Sequence, residues 1–352
     1  MIEILTSGVA LGVHVPGLLL AQRLRERGAQ TEVSVLERLL PSRKLATTAG
    51  MKWAFHRDFR FALAGQRLAT DPSDAVDTQA VADLVGRWHR HEVTRFVVLS
   101  GFWLPLVERY AATCGHPCQV DLLHVDSVPS PSFAKASGTD LTVDHVWLAD
   151  AEHRSIPCSI PVTSRPPVAW AQRSRRLFVH GGGWGMGAYR ERIGELRANG
   201  YELDVVAYEE LDVAAEGVRY FMVDPRWHPW IDDGYPPFGE VRAGRDIEYG
   251  RGTGHHASFD LTGSAVATVS KPGGGTLLDS LWSATPAVLL EPFGEHERRN
   301  ADLWQALGFG IPVDQWRRSG FTLEVLEEMH DALLGATAQI ADYSEILVRE
   351  GR

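Results

Sequence analysis

The segment from Val269 to Pro312 carries the densest chemistry in the 352-residue chain. It opens V-S-K-P-G-G-G-T-L-L-D-S-L and continues T-P-A-V-L-L-E-P-F-G-E-H-E-R-R-N-A. A strand expected over Ala265 to Val269 runs into Gly273, Gly274 and Gly275, then Thr276 and a helix. Glycines let backbone approach a pyrophosphate closely, while Thr276 and the free N–H groups of a helix start offer donors aligned with the helix dipole. Asp279, one turn further on, stands where it can accept hydrogen bonds from ribose hydroxyls. A glycine run alone more often makes a tight turn. The polar segment after the next expected strand, Ala287 to Leu290, adds His296, Glu297 and Asn300, placed to meet sugar hydroxyls, which demand several fixed donors and acceptors.

These residues need a scaffold that gathers loops at one sheet edge. The chain opens with a short apolar strand (Ile2 to Leu5), a glycine-containing loop (Ser7 to His14) and an amphipathic helix expected from Pro16 to Arg27. Gly28 ends that helix, and Thr31 to Leu36 alternates like the next strand, so the start reads as a βαβ unit. Further strands are expected at Phe96 to Leu99 and Val120 to Val125. The segment Ser155 to Arg176 holds four prolines and little periodicity and reads as a linker, after which the grammar restarts. Arg176 to His180 is strand-like, Gly181 to Gly187 is a second glycine loop, Tyr189 to Ala198 has helical spacing, and Leu203 to Ala207 is again strand-like. The expectation is an α/β protein of two Rossmann-like, doubly wound domains facing a cleft. Residues 1–160 would form the first domain, 161–175 the linker and 176–335 the second domain, with a helical tail bracing the two, Leu323 to Val348 read as continuous helix and 336–352 as the brace.

Composition narrows the class. With 44% hydrophobic and 23% charged residues the chain can bury a large core. A formal net charge of -10 argues against general nucleic-acid binding, which leaves a basic footprint. No signal-peptide pattern or transmembrane segment is read, giving a cytoplasmic expectation. Cys114, Cys118 and Cys158 are an odd set, read as reduced thiols; Cys114, His116 and Cys118 lack the fourth ligand of a structural zinc site, so no metal or cofactor is expected.

The donor-side pattern resembles the inverting GT-B glycosyltransferases, in the branch of the lipid II-forming GlcNAc transferase and the antibiotic-tailoring and UDP-sugar enzymes. Gly273 to Asp279, Thr285 to Pro286 and Pro292 to Ala301 occupy the places of its G-G-G-T/S-x-x-E/D, G-x-P and P-x(4-7)-Q/D-x-x-N-A elements. The resemblance implies that Gly274, Gly275 and Thr276 contact the diphosphate, Asp279 the ribose, and His296 and Glu297 the sugar. Asp replaces the commoner Glu at 279, which changes reach. The pair His296 and Glu297 replaces acid-Gln or Gln-Gln, which leaves the sugar open. The loop His180 to Gly187 matches another diphosphate-facing loop, implying contacts from Gly182 and Gly183; close strand-to-helix packing explains these glycines equally.

Gly12-Val13-His14-Val15-Pro16 follows the family's Gly-His-apolar-Pro loop with one residue inserted. The resemblance makes His14 the base that deprotonates the acceptor, a task suited to an imidazole. Asp126, in H-V-D-S, could orient His14 or cap its own turn. The implied reaction is inverting, metal-independent transfer from a UDP- or dTDP-sugar donor, bound by residues 176–335, to a small-molecule acceptor, bound by residues 1–160 and a natural product in the antibiotic-tailoring branch. No D-x-D motif is present, and Arg299 breaks the E-x(7)-E spacing of retaining enzymes from Glu291. Arg43, Lys44, Lys52, Arg57, Arg60 and Arg67, interleaved with Trp53, Phe55, Phe59 and Phe61 within Arg38 to Arg67, would suit an anionic or carrier-bound acceptor or a lipid headgroup, or form a solvated loop. A nucleotide-sugar 2-epimerase and a non-catalytic nucleotide-sugar-binding protein are the competing readings.

Overall fold

The computed structural model describes residues 1–9, 11–68, 75–136 and 139–351, with the side chains of 66–68 set aside. Strands β1 (Ile2–Thr6), β2 (Thr31–Val35), β3 (Arg95–Val98), β4 (Gln119–His124) and β5 (Asp144–Trp147) form an all-parallel sheet in the order β2-β1-β3-β4-β5. A short β6 (Cys158–Ser159) follows. A second sheet contains β7 (Arg176–Val179), β8 (Glu202–Ala207), β9 (Arg219–Val223), β10 (Phe238–Val241), β11 (Ala267–Ser270), β12 (Ala287–Leu289) and β13 (Gly310–Pro312). Its order is β10-β9-β8-β7-β11-β12-β13, parallel except for the edge pair β9 and β10.

The helices of the first half are α1 (Leu11–Glu26), α2 (Ser42–Arg57), α3 (Phe59–Leu68), α4 (Thr78–Arg90), α5 (Leu104–Ala111) and α6 (Pro131–Lys135). The second half has α7 (Tyr189–Ala198), α8 (Ser258–Ser264), α9 (Gly274–Ser283), α10 (Glu295–Ala306), α11 (Val313–Arg318), α12 (Glu324–Thr337) and, after a short β14 (Ala341–Asp342), α13 (Tyr343–Glu350). Strand alternation sorts the first core onto two faces: Ile4 and Val97 pack with Leu19 and Leu20 of α1, while Leu5, Phe96 and Val98 pack with Trp88 and Tyr110 of α4 and α5.

Both sheets have a point where strand order reverses, and this positions the site. In the second sheet β7 continues to β8 on one side, and the chain later returns as β11 on the other. Loops leaving the carboxyl ends of β7 and β11 therefore diverge and leave a crevice, and these are the two glycine loops. In the first sheet the same reversal lies between β1 and β3, and the loop leaving β1 leads to His14.

Two expectations are corrected. Helix α1 starts at Leu11, five residues before Pro16, so Pro16 lies inside it and His14 is in its first turn. The tail is not one helix: β14 breaks it and pairs with β6, and Asp342 then caps α13 by accepting from the Ser344 N–H. Identical apolar spacing on both sides hides that break. Helix α12 packs on the second domain through Leu326 and Leu333, whereas α13 crosses back to the first. There the Tyr343 hydroxyl donates to Asp121 at 2.6 Å, and Asp121 also pairs with Arg95 at 2.9 Å, all three buried in the sheet's flank. A Tyr343→Phe variant removes one hydrogen bond to a charged group and leaves the ion pair, so chemical denaturation should register a loss of about 2 kcal/mol.

Candidate functional site

The crevice of the second sheet is built around a lysine. Lys271 follows β11 and is buried between the two glycine loops. A Cβ added at Gly182 would lie 3.4 Å from Lys271 Nζ, and one at Gly273 3.3 Å from it. The ammonium is thus where both loops give way, beside the start of α9 and its first-turn amides, of which the Gly274 N–H is taken by Asp126. Lys271 Nζ pairs with Glu297 Oε1, whose other oxygen accepts from the Phe293 N–H at 2.6 Å.

Two imidazoles complete this surface. The Gly182 N–H donates to His180 Nδ1 at 3.1 Å, which fixes Nδ1 as acceptor. Burial, with the charges of Lys271 and His256, pushes the His180 pKa down to about 3, so the ring is neutral. His256 behaves oppositely: burial disfavours its charge, yet Asp279 Oδ1 at 3.0 Å from Nε2 raises its pKa above the ordinary value. Ser258 Oγ, 2.9 Å from Nδ1, holds the other side of that ring. Asp279 is therefore tied to His256 and offers a ligand its remaining oxygen.

The glycines serve contact between the domains as well. A Cβ on Gly183 would meet Leu11 Cβ at 2.6 Å, one on Gly274 the Val125 carbonyl at 2.8 Å, and one on Gly275 would reach Gly12 Cα at 3.4 Å. Gly182 and Gly273, facing Lys271, are the pair the structure leaves toward the cation. Thr276 and His296 are partly exposed at the starts of α9 and α10.

Asn300 is placed differently from its expected sugar contact. Its Nδ2 donates to Asp126 Oδ1 at 2.8 Å and to the Pro272 carbonyl at 3.0 Å, while its Oδ1 accepts from the Ser127 N–H at 2.7 Å. Both amide protons are spent, and Asn300 is a buried bolt between the domains. Glu297 is likewise committed to Lys271 and Phe293 rather than open to a sugar. Asp126 also accepts from the Gly274 N–H at 3.2 Å and makes no bond to His14. The reason is topological: β3 stands between β1 and β4, so their ends are two strand spacings apart, roughly 10 Å.

The partner of His14 is Thr6, at the end of β1. Thr6 Oγ1 donates to the Ser34 carbonyl at 3.2 Å and so accepts from His14 Nδ1 at 3.1 Å. This assigns the proton to Nδ1 and the lone pair to Nε2, which is buried with no partner. Burial and the nearby Arg38 cation push the His14 pKa down to about 3, against the opposing influence of Asp233. The ring is covered by Trp227, 6.3 Å between centroids, from the loop joining β9 to β10. That loop reaches across to the first domain, where Arg38 pairs with Asp233 at 2.6 Å and donates to the Pro229 carbonyl at 3.2 Å.

Arg38 to Arg67 is not a solvated loop. It forms α2 and α3, and α2 clasps the second domain: His56 Nδ1 is 2.7 Å from the Gly185 carbonyl, its Nε2 3.0 Å from Asp212, and Arg190 bonds both Asp212 and the His56 carbonyl. Arg57 pairs with Glu209, and Phe55 lies 5.7 Å from Trp184. On Trp227, which covers His14, opens a pocket also lined by Lys52 of α2, Trp184 and Trp230. Burial lowers the Lys52 pKa. Arg67's side chain is outside the described residues.

No family model matches the sequence, and no curated protein matches it. Solved structures do match over the whole length. The glycosyltransferase SnogD from Streptomyces nogalater superposes with a TM-score of 0.58 at 15% identity, covering 99% of each chain. SsfS6 from Streptomyces sp. SF2575, a glycosyltransferase complexed with thymidine diphosphate, gives 0.56 at 15% identity with 99% of each chain covered. MurG from Acinetobacter baumannii gives 0.51 at 12% identity over 99% of this chain and 98% of its own. The fold is that of the GT-B glycosyltransferases, two Rossmann-like domains with the cleft between them. Among the described residues no helix is long and apolar enough to cross a membrane.

Proposed function

We propose that this chain transfers a sugar from a nucleotide diphosphate sugar, UDP- or dTDP-linked, to a hydroxyl of a small-molecule acceptor, with inversion and without a metal ion in the transfer step. The observation that carries the reading is the buried Lys271 ammonium between Gly182 and Gly273 at the start of α9. A diphosphate there meets a cation, approachable backbone and a helix dipole, the three things that stabilise charge on a departing phosphate. The thymidine diphosphate bound by SsfS6 on the same fold is consistent with such a donor.

His14 supplies the other half. Its Nε2 lone pair accepts the acceptor's hydroxyl proton as that oxygen attacks the anomeric carbon from the face opposite the nucleotide. The bond to the diphosphate breaks, and the released charge falls to Lys271 and the α9 amides. Asp279, steadied by His256, accepts from a ribose hydroxyl, and the half-exposed His296 is the sugar contact left free. The tryptophan-lined pocket that opens on Trp227 takes the acceptor.

The test is calorimetric titration with UDP and dTDP in EDTA. One of them should bind, and Thr276→Val and Asp279→Asn should each weaken it about tenfold, the worth of one hydrogen bond to a charged group. A folded protein that binds neither, or binding untouched by both substitutions, would remove the donor site from this crevice.

A further inference from the structure

Far from the cleft, the turn between α5 and β4 reads C-G-H-P-C, and it lies at the amino end of β4, opposite the edge that carries the glycine loops. Cys114, His116 and Cys118 each place one ligand atom within 4.8 Å of the others. The two Sγ atoms are 3.5 Å apart, and both cysteines are free and half-buried against the core of the first domain. Tetrahedral zinc with sulfur at about 2.3 Å sets its sulfurs roughly 3.8 Å apart, so a small opening accommodates the ion.

Both ring nitrogens of His116 have neighbours: Nε2 lies 3.4 Å from the Tyr110 hydroxyl oxygen, and Nδ1 lies 3.3 Å from the Pro117 carbonyl, which can only accept, so Nδ1 carries the proton in that bond. The Tyr110 oxygen also lies 3.0 Å from the Val93 carbonyl and 3.3 Å from the Trp88 carbonyl. The His116 carbonyl is also 3.1 Å from Cys114 Sγ. Two thiol sulfurs and an imidazole thus converge on one point, their protons held only by contacts to sulfur and carbonyls that a metal ion would replace, and the Tyr110 hydroxyl lies beside the imidazole as outer-sphere partners do in metal sites. Another cluster of this kind among the described residues, His56 with Glu209 and Asp212, already has its cation in Arg190 and Arg57.

We propose that Cys114, His116 and Cys118 bind one thiophilic d10 cation of the zinc type, with water in the fourth position. Binding releases two thiol protons to solvent and forms two metal–thiolate bonds and one metal–imidazole bond. The ion pins the α5–β4 turn.

The probe is cobalt(II), titrated into the full chain kept reduced by a phosphine, followed by displacement with zinc. The expected result is one equivalent of cobalt showing the visible bands of tetrahedral thiolate coordination, bleached by zinc. Cys118→Ser should abolish these bands, His116→Ala should weaken binding at least tenfold, and Cys158→Ser should leave them intact. Each variant is checked for fold by circular dichroism, and a variant that fails to fold is replaced by its alanine or asparagine counterpart. Bands absent while all three thiols still titrate, or bands that persist in Cys118→Ser, would overturn the site. So would a Cys114–Cys118 disulfide whose reduced form binds no cobalt.

Discussion

Replacing His14 with alanine should cut turnover by about 1,000-fold, within the range ascribed to a positioned general base, while calorimetric binding of dTDP or UDP stays within about twofold. The expectation follows from the proton count: Thr6 takes the Nδ1 proton, and Nε2 is a buried acceptor with nothing to accept. The acceptor hydroxyl is the missing partner, and Trp227 must shift to admit it. Because burial and Arg38 push the His14 pKa to about 3, the base is already neutral across ordinary assay pH, and the profile of kcat/KM should show no inflection near 6.5. The same shift has a stability consequence. Its folded pKa is depressed, so its contribution is fully present above about pH 6.5 and declines as pH falls toward 3, where only the unfolded chain takes up the proton. At pH 5 that amounts to about 2 kcal/mol, and His14→Ala should flatten acid unfolding between pH 6 and 4. His124 and His180, also held near 3, keep the variant acid-sensitive in the same window. An alanine variant with wild-type turnover would point instead to a protein that binds nucleotide sugars without His14 as base.

What the sequence made legible was local. The second glycine loop from His180 and α7 over Tyr189 to Ala198 follow from turn residues and apolar spacing, and the structure has them at those positions, whereas the expected loop of Gly273 to Gly275 is shorter: Gly273 is the N-cap and α9 already includes Gly274 and Gly275. What it hid depends on strand order. Lys271 stands inside the same motif, yet its meaning comes from Gly182, 89 residues earlier, because β7 and β11 lie side by side. His256 gains its role only because α8 and α9 pack together, and Trp227 because a loop from one domain covers a histidine of the other. Asp126 and Asn300 show the converse. Asp126, read as orienting His14 or capping its own turn, and Asn300, read as a sugar contact, each bond the other domain's backbone. No spacing in the sequence separates a residue that holds a substrate from one that holds the two halves of the cleft together.

Lys271→Met should be the most damaging donor-side change, and its cost has two separable parts. The first is structural. Glu297 is 3% exposed and paired with Lys271, so removing the ammonium strands a buried carboxylate that keeps only the Phe293 amide. Breaking a buried pair from one side costs about 3–5 kcal/mol, much of it the penalty on the group left behind. The second part is functional, the loss of a cation facing the diphosphate, worth about 1.5–3 kcal/mol, or roughly 10- to 150-fold in nucleotide Kd. The double variant Lys271→Met/Glu297→Gln separates them. A neutral amide can still accept from the Phe293 N–H, so denaturation should return most of the lost stability. Nucleotide affinity should not return, because nothing replaces the ammonium. If the double variant regained both, Lys271 would be a structural partner of Glu297 alone, and the charge on the leaving diphosphate would rest on the α9 amides and His256. If affinity stays low in a fully stable protein, the Lys271–Glu297 pair is the resting form of the donor site, in which the carboxylate holds the cation until a diphosphate takes its place.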